Sequence, residues 1–433
     1  MQLTKHLNKI SWSVADKLTY VLYGFATIAI LAITNEIEYG IFTLFNYLHN
    51  FIFNISDSFT LQSLLQFSAV EEEKPRVNLI ALINHTIFIT IIVLLVLIFK
   101  SPISVLLSEP KIINVANALP LLALFSIPRY FCYRIMYREL KTFRLFMTNL
   151  VYFGSMSFLI FYCYFQNFFL TYSDIINITY LGSALGTIVA ILLSLKYLKF
   201  SFKGKTKYSD IMKFSAKYTV GSIILPIPRY CDIFFIQYFW GTSFVGLYSP
   251  AKTLFRFIDE LINTVYSLIY SPSVKYIAKN DIKSLNSIIT KSVSLLLVTF
   301  SFITLLSFLG VSDYFSVFLP NKFVQAIPLF NILMLSSILL PITLLTSTIS
   351  ASGKPEIVAK YSLFAFLIWI ISFMVIGFFF NSHIILIPIP FVIFQATIAF
   401  CVFRYANKHF NFQFKQLFRI IPDGLMFIKN KFK

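Results

Sequence analysis

Residues 77–99 read VNLIALINHTIFITIIVLLVLIF, from Val77 to Phe99, without one charged side chain. An α-helix rises about 1.5 Å per residue, so the stretch spans roughly 35 Å and exceeds the hydrocarbon core of a bilayer. It begins just after Lys74 and Arg76 and ends against Lys100. A surface helix of a soluble domain would show a polar face, and a core helix would be a shorter apolar run. This stretch is a membrane span, and the rest of the chain repeats its pattern.

The composition agrees. Of 433 residues, 58% are hydrophobic and only 12% charged, with a mean hydropathy of +0.79. Soluble domains carry about twice that share of charge. Eleven further spans follow from the pattern: Val14–Ile33, Ile41–Leu64, Ile112–Tyr133, Phe143–Phe165, Ile175–Leu195, Ile211–Phe239, Phe244–Tyr270, Ile288–Leu309, Ala326–Ile349, Ile357–Phe380 and Ile384–Phe403. The second, seventh and eighth of the twelve are long and contain ionisable residues, so a plain hydropathy scan scores them worst. The first lacks a small-residue cleavage site and is expected to remain as an uncleaved span. Cys132, Cys163, Cys231 and Cys401 lie inside apolar stretches without zinc-type spacing, so they read as small core residues. No metal site or cofactor is expected.

The charge asymmetry is large: 36 Lys and Arg against 18 Asp and Glu, a net +18. With the N-terminus in the cytoplasm, most cations fall in alternate loops on the cytoplasmic side, as the positive-inside rule requires. Only Lys100, Lys111 and Lys322 fall on the other side. Twelve spans with both termini inside account for this alternation, and adding or removing one would scramble it. The basic loop Lys196–Lys217 and the basic tail therefore orient the helices and meet anionic lipid headgroups. Nucleic acid is not an expected partner.

The basic loop divides the chain into an N-terminal lobe, residues 1–200, and a C-terminal lobe, residues 201–433. The lobes share landmarks at a nearly constant offset. Glu38-Tyr-Gly-Ile-Phe-Thr43 matches Phe244-Val-Gly-Leu-Tyr-Ser249 at 206; Ser104–Leu107 matches Ser316–Leu319 at 212; Leu119-Pro-Leu121 matches Ile327-Pro-Leu329 at 208. Two six-helix bundles related by a parallel repeat are expected, a pattern known among transporters. The recurrence of Ile-Pro-Arg-Tyr at Ile127–Tyr130 and Ile227–Tyr230 breaks that register and counts as coincidence.

Four cations remain inside spans: Arg129, Arg229, Lys252 and Arg256. Each costs about 3 kcal/mol at a span centre on insertion scales, and such residues face a cavity or a partner. Lys252, Arg256, Glu260 and Asn263 follow one helix face; the 206 offset carries them onto Asn46, Asn50, Asn54 and Asp57. Two readings fit these stripes. One is a water-filled cavity lined by both. The other is internal pairing of Arg256 with Glu260 and of Lys252 with a neighbour. Arg229 lies beside Pro226 and Pro228, which are expected to break the seventh span, and its plainer alternative is a pair with Asp232. Arg129 follows Pro128 and could simply snorkel to the interface. His49 and His85 stand isolated in the sequence and receive no proton role.

No catalytic set emerges: no phosphate loop, zincin helix or serine elbow. The outer loops are too short for a membrane polymerase or ligase.

Asp232-Ile-Phe-Phe-Ile, Gly241, Val245-Gly-Leu-Tyr-Ser249, Ala251, Ser271-Pro272 and Tyr276-Ile-Ala278 resemble polysaccharide-unit flippases, with Glu38–Phe42 and Leu319–Phe323 in support. These are the O-antigen and capsule exporters of the multidrug/oligosaccharidyl-lipid/polysaccharide (MOP) superfamily. The resemblance implies a multi-pass protein of the bacterial inner membrane, acting as a monomer, with alternating access for an undecaprenyl-pyrophosphate-linked oligosaccharide. It also implies work alongside other polysaccharide-assembly proteins. Under it, Lys252, Arg256 and Arg229, with Arg129 behind them, bind the pyrophosphate. Asn46, Asn50 and Asn54 meet sugar hydroxyls, and Asp57 or Glu260 couples Na⁺ or H⁺. Twelve spans and no clear Arg on the first two set the chain apart from the lipid II branch. A multidrug/cation antiporter of the same superfamily and a polysaccharide polymerase or ligase are the alternative functions. An antiporter would want acids where Lys252 and Arg256 stand.

Overall fold

The computed structural model describes residues 3–413 except 69, 224–225, 280 and 318; the side chains of 3–10, of several residues between 217 and 278, and of 315, 317 and 355 also lie outside the description. The described residues form helices and turns, with no strand. In chain order they are α1 (Leu3–Ala32), α2 (Glu36–Ser56), α3 (Ser63–Gln66), α4 (Lys74–Ile98), α5 (Lys100–Leu106), α6 (Ile112–Arg138), α7 (Thr142–Phe165) and α8 (Tyr172–Ser194). There follow α9 (Tyr208–Ile223), α10 (Ile227–Trp240), α11 (Thr242–Ala278), α12 (Ile282–Phe308), α13 (Ala326–Thr343), α14 (Leu345–Ala351), α15 (Pro355–Phe379) and α16 (Ile389–Phe410).

Nine helical segments among the described residues are long and apolar enough to cross a membrane. The three expected spans outside this set are the second, seventh and eighth, whose polar residues dilute their hydropathy. Each is helical nonetheless. α2 runs into a π-turn at Asp57–Leu61, the seventh span is divided into α9 and α10 around Pro226, and α11 is a 37-residue helix. The chain is thus a multi-pass all-α membrane protein, and its elements are consistent with twelve spans.

By packing, the chain forms two units, residues 1–223 with 233–247 and residues 224–232 with 248–433. In the first, Asn35 caps α2 by accepting from the Glu38 N–H, and Thr171 and Asp174 form a reciprocal capping box on α8. Gly182 and Gly186 sit one turn apart on α8, and α7 presses Tyr152 and Met156 against them. Small residues at this spacing let helices approach closely in lipid. The Glu38 carboxylate pairs with Lys111 at 2.8 Å, and that hydrogen bond holds the Lys111 ammonium above the usual lysine range. The basic loop is tied down as well: Glu73 accepts the backbone N–H groups of Lys205 and Thr206 at 2.7 and 2.9 Å.

The repeat leaves a direct trace. A Cβ on Gly40 would overlap the Thr242 carbonyl oxygen, and a Cβ on Gly246 would overlap that of Glu36. The offset of 206 turns Gly40 into Gly246 and Glu36 into Thr242, so the two halves of this contact are copies of each other. Reciprocity of this kind marks a two-fold relation between like segments. Neither backbone can move aside cheaply, because both obstructing atoms are main-chain. Gly246→Ala is therefore expected to cost at least about 1–3 kcal/mol, the usual range for overpacking. A thermal melt of the purified variant in detergent checks this.

In the second unit α12, α13, α15 and α16 pack together. Trp369 is fully buried between Phe366 and Phe373. α13 carries Pro341 in its last turn and gives way to α14 at Leu344.

Candidate functional site

α11 carries the site in the second unit. Tyr248, Lys252, Arg256 and Asp259 recur at helical spacing, so they share one face. The opening turns of α10 supply Arg229 and Asp232 against it. Lys252 Nζ donates to both carboxylate oxygens of Asp232, at 2.6 and 2.7 Å, and also to the Arg229 carbonyl. The Tyr248 hydroxyl donates to Asp232 at 3.1 Å. The Asp232 side chain is 0% exposed and that of Lys252 13%. Arg229 reaches across to Asp259, with Nη2 to Oδ1 at 3.1 Å. Arg256 lies one turn beyond Lys252 on the same face of α11. The side chains of Glu260 and Asn263 lie outside the described residues.

Lys252, Arg229 and Arg256 therefore belong to one charged cluster, but each of the first two already holds a carboxylate. The expected alternative partner of Arg229 was Asp232; in the structure Lys252 takes Asp232 and Arg229 takes Asp259. The reason is geometric. Both oxygens of Asp232 turn toward α11, where one ammonium meets them together. Asp259 is the residue sequence reasoning missed. Its signal was there, because positions 252, 256, 259 and 263 follow the 3.6-residue period more closely than a stripe through Glu260.

In the first unit, Asn46, Asn50 and Asn54 form a ladder along α2. Asn50 donates to the Asn46 side chain at 2.9 Å, and Asn54 donates to the Asn50 carbonyl at 2.7 Å. Asp57 departs from this stripe. Arg134 of α6 binds it through two nitrogens, with Nε to Oδ1 at 2.5 Å. The π-turn places Ser56 and Thr60 on His85 Nδ1, at 2.8 and 3.2 Å. His49 meets Ser126 at 3.2 Å, and both histidine rings approach Phe53. The isolation expected of these histidines was a matter of sequence distance only.

Arg129 does not snorkel. It is 7% exposed, with its guanidinium 3.8 Å from the Tyr152 ring centroid and 4.8 Å from that of Tyr130. The glycine-lined approach of α7 to α8 brings Tyr152 to it, and a cation over an aromatic face gains when water is excluded.

Residues 33–328 match the family described as "Polysaccharide biosynthesis protein", more than half of the chain. At the level of curated protein sequences nothing matches. Among solved structures, a multidrug resistance MATE family transporter of the MOP superfamily in an inward-facing conformation aligns with a TM-score of 0.77. Its identity is 13%, over 90% of this chain and 94% of that one. The lipid II flippase MurJ, in an inward closed conformation, aligns with a TM-score of 0.73 at 15% identity, over 96% and 91%. A MOP superfamily transporter from Pyrococcus furiosus, described as having a binding pocket of reverse polarity, aligns at 0.55 and 13%, over 93% and 94%. These likenesses establish a shared fold, and with the family match they lead to one conclusion: the chain belongs to the polysaccharide biosynthesis protein family and has the fold of the MOP superfamily.

Proposed function

We propose that the chain is a flippase for polyprenyl-pyrophosphate-linked oligosaccharides, working by alternating access in the assembly of a surface polysaccharide such as O-antigen or capsule. The observation that carries this reading is the pairing of Lys252 with Asp232 and of Arg229 with Asp259 beside Arg256. A cation held by a carboxylate has already lost much of its hydration, so a pyrophosphate that displaces the carboxylate meets a prepared partner. Arg129 is a further cation for the same cargo. Asn46, Asn50 and Asn54 serve sugar hydroxyls, and Asp57 or Glu260 couples an ion. We place the protein in the bacterial inner membrane with both termini cytoplasmic. An inside-negative potential then favours outward movement of two uncompensated charges by roughly 4.6 kcal/mol per 100 mV.

Antiport of a cationic drug is the second reading, supported by the likeness to multidrug transporters. It is weaker, because such a cargo would compete with Lys252 and Arg229 for the same acids. A polymerase or ligase would need acid–base groups in larger loops than these.

The test uses a strain whose surface polysaccharide depends on this chain. Deletion is expected to accumulate lipid-linked units in the inner leaflet, and Arg256→Ala and Lys252→Ala to lower surface polysaccharide at least about tenfold, the effect of one lost charge-assisted contact. Full retention by both variants would remove these cations from the site. Unpolymerised units outside the membrane would favour the enzyme.

A further inference from the structure

Within the second unit, Arg229 opens into a cavity of about 240 Å³. α11 contributes Tyr266, the α13–α14 junction contributes Thr343 and Thr346, and α16 contributes Phe394 and Gln395. This lies below the range of pockets for drug-sized ligands. It suits one ring and its substituents.

The lining is chemically specific. Gln395 is 3% exposed, and among the described residues its amide makes no hydrogen bond. A buried amide offers two donors and two acceptor sites, and leaving them unmet is costly unless a ligand or water uses them. The Thr343 hydroxyl donates to Leu340 O within α13, and the Thr346 hydroxyl of α14 donates back to Thr343 O, both at 2.7 Å. Their oxygen lone pairs remain as acceptors. The cavity therefore offers neutral donors and acceptors together, one guanidinium and two aromatic rings. Sugar hydroxyls both donate and accept, and the polarised C–H bonds of a sugar ring match the electron-rich face of an aromatic group. The helix break after Pro341 fits this use, since interrupted helices at membrane depth line cavities or protein interiors.

We propose that this cavity is a glycosyl-phosphate subsite. It takes the sugar joined directly to the pyrophosphate, with Gln395, Thr343 and Thr346 on the ring hydroxyls and Arg229 on the adjoining phosphate. Asp259 holds Arg229 until the phosphate replaces it. The proposal rests on the flippase reading above and adds to it a site that reads the first sugar. It also makes Asp259 a specificity-determining residue, because it competes with the anion.

The experiment measures binding to the purified full chain in nanodiscs. The probes are a short-chain polyprenyl pyrophosphate bearing one hexose and the same lipid without the sugar. The wild type is expected to prefer the hexose-bearing lipid by about tenfold or more, equivalent to one or two well-made hydrogen bonds. Gln395→Leu and Thr346→Val should each erase most of that preference and leave the sugarless lipid bound as before. Asp259→Asn should tighten both probes. A wild type that binds both lipids equally overturns the subsite while the flippase reading stands, and this comparison needs no variant to fold. Variants that keep the full preference also overturn it. A wild type that binds neither lipid removes the flippase reading itself.

Discussion

Lys252→Met is expected to cost the fold about 3–5 kcal/mol, the usual penalty for stranding one member of a buried ion pair. Asp232 would be left at a site closed to solvent without its counter-ion, still accepting from the Tyr248 hydroxyl. The double variant Lys252→Met/Asp232→Asn should regain most of that loss, because the amide that replaces the carboxylate is neutral and still accepts from Tyr248. If Lys252 serves the cargo, the double variant folds and fails to transport. Stability by thermal melt and transport in the same preparation separate the two roles. A double variant that melts and transports like the wild type would make the pair purely structural. The coupling between the single changes should be large, since the two groups share one set of hydrogen bonds.

Arg134→Ala is the second large effect. Asp57 and Arg134 form a two-pronged pair in which neither side chain is more than about a quarter exposed. Removing the cation leaves a carboxylate on the π-turn with its main partner gone, at a cost of about 2–4 kcal/mol, slightly below the fully buried case. Asp57→Asn/Arg134→Gln should restore stability. That double variant also bears on ion coupling. To bind Na⁺ or H⁺, Asp57 would first have to leave Arg134, so we expect any ion dependence of transport to survive in it, with Glu260 as the remaining candidate. Loss of ion dependence with folding intact would assign the coupling to Asp57.

Much of the helical layout could be read directly from the residues. Long uncharged stretches such as Val77–Phe99 admit one interpretation in a bilayer. The repeat register was legible too, and Gly40 and Gly246 meet in the reciprocal way it implies. Which acid each cation takes was not. Asp232 lies 20 residues from Lys252, and Asp259 lies 30 from Arg229; both pairings depend on how α10 leans on α11, a tertiary matter that no periodicity carries. Arg129 shows the same limit. Its neighbour Tyr130 was visible, but Tyr152 reaches it only because α7 packs into the glycine groove of α8. Gln395 gave no signal at all, since one amide in an apolar span is ordinary until its surroundings are known.

The cargo proposed for this chain is an anionic lipid-linked sugar. The most direct measurement reconstitutes the purified chain in liposomes with polyprenyl-pyrophosphate oligosaccharide. A membrane-impermeant sugar-oxidising reagent then reads the fraction of oligosaccharide in the outer leaflet over time. A polyprenyl glycoside with the same sugars and no phosphate serves as control. The expected result is protein-dependent exchange of the pyrophosphate-linked unit between leaflets and none of the uncharged glycoside. Equal movement of both lipids, or no movement beyond that in protein-free liposomes, would contradict it.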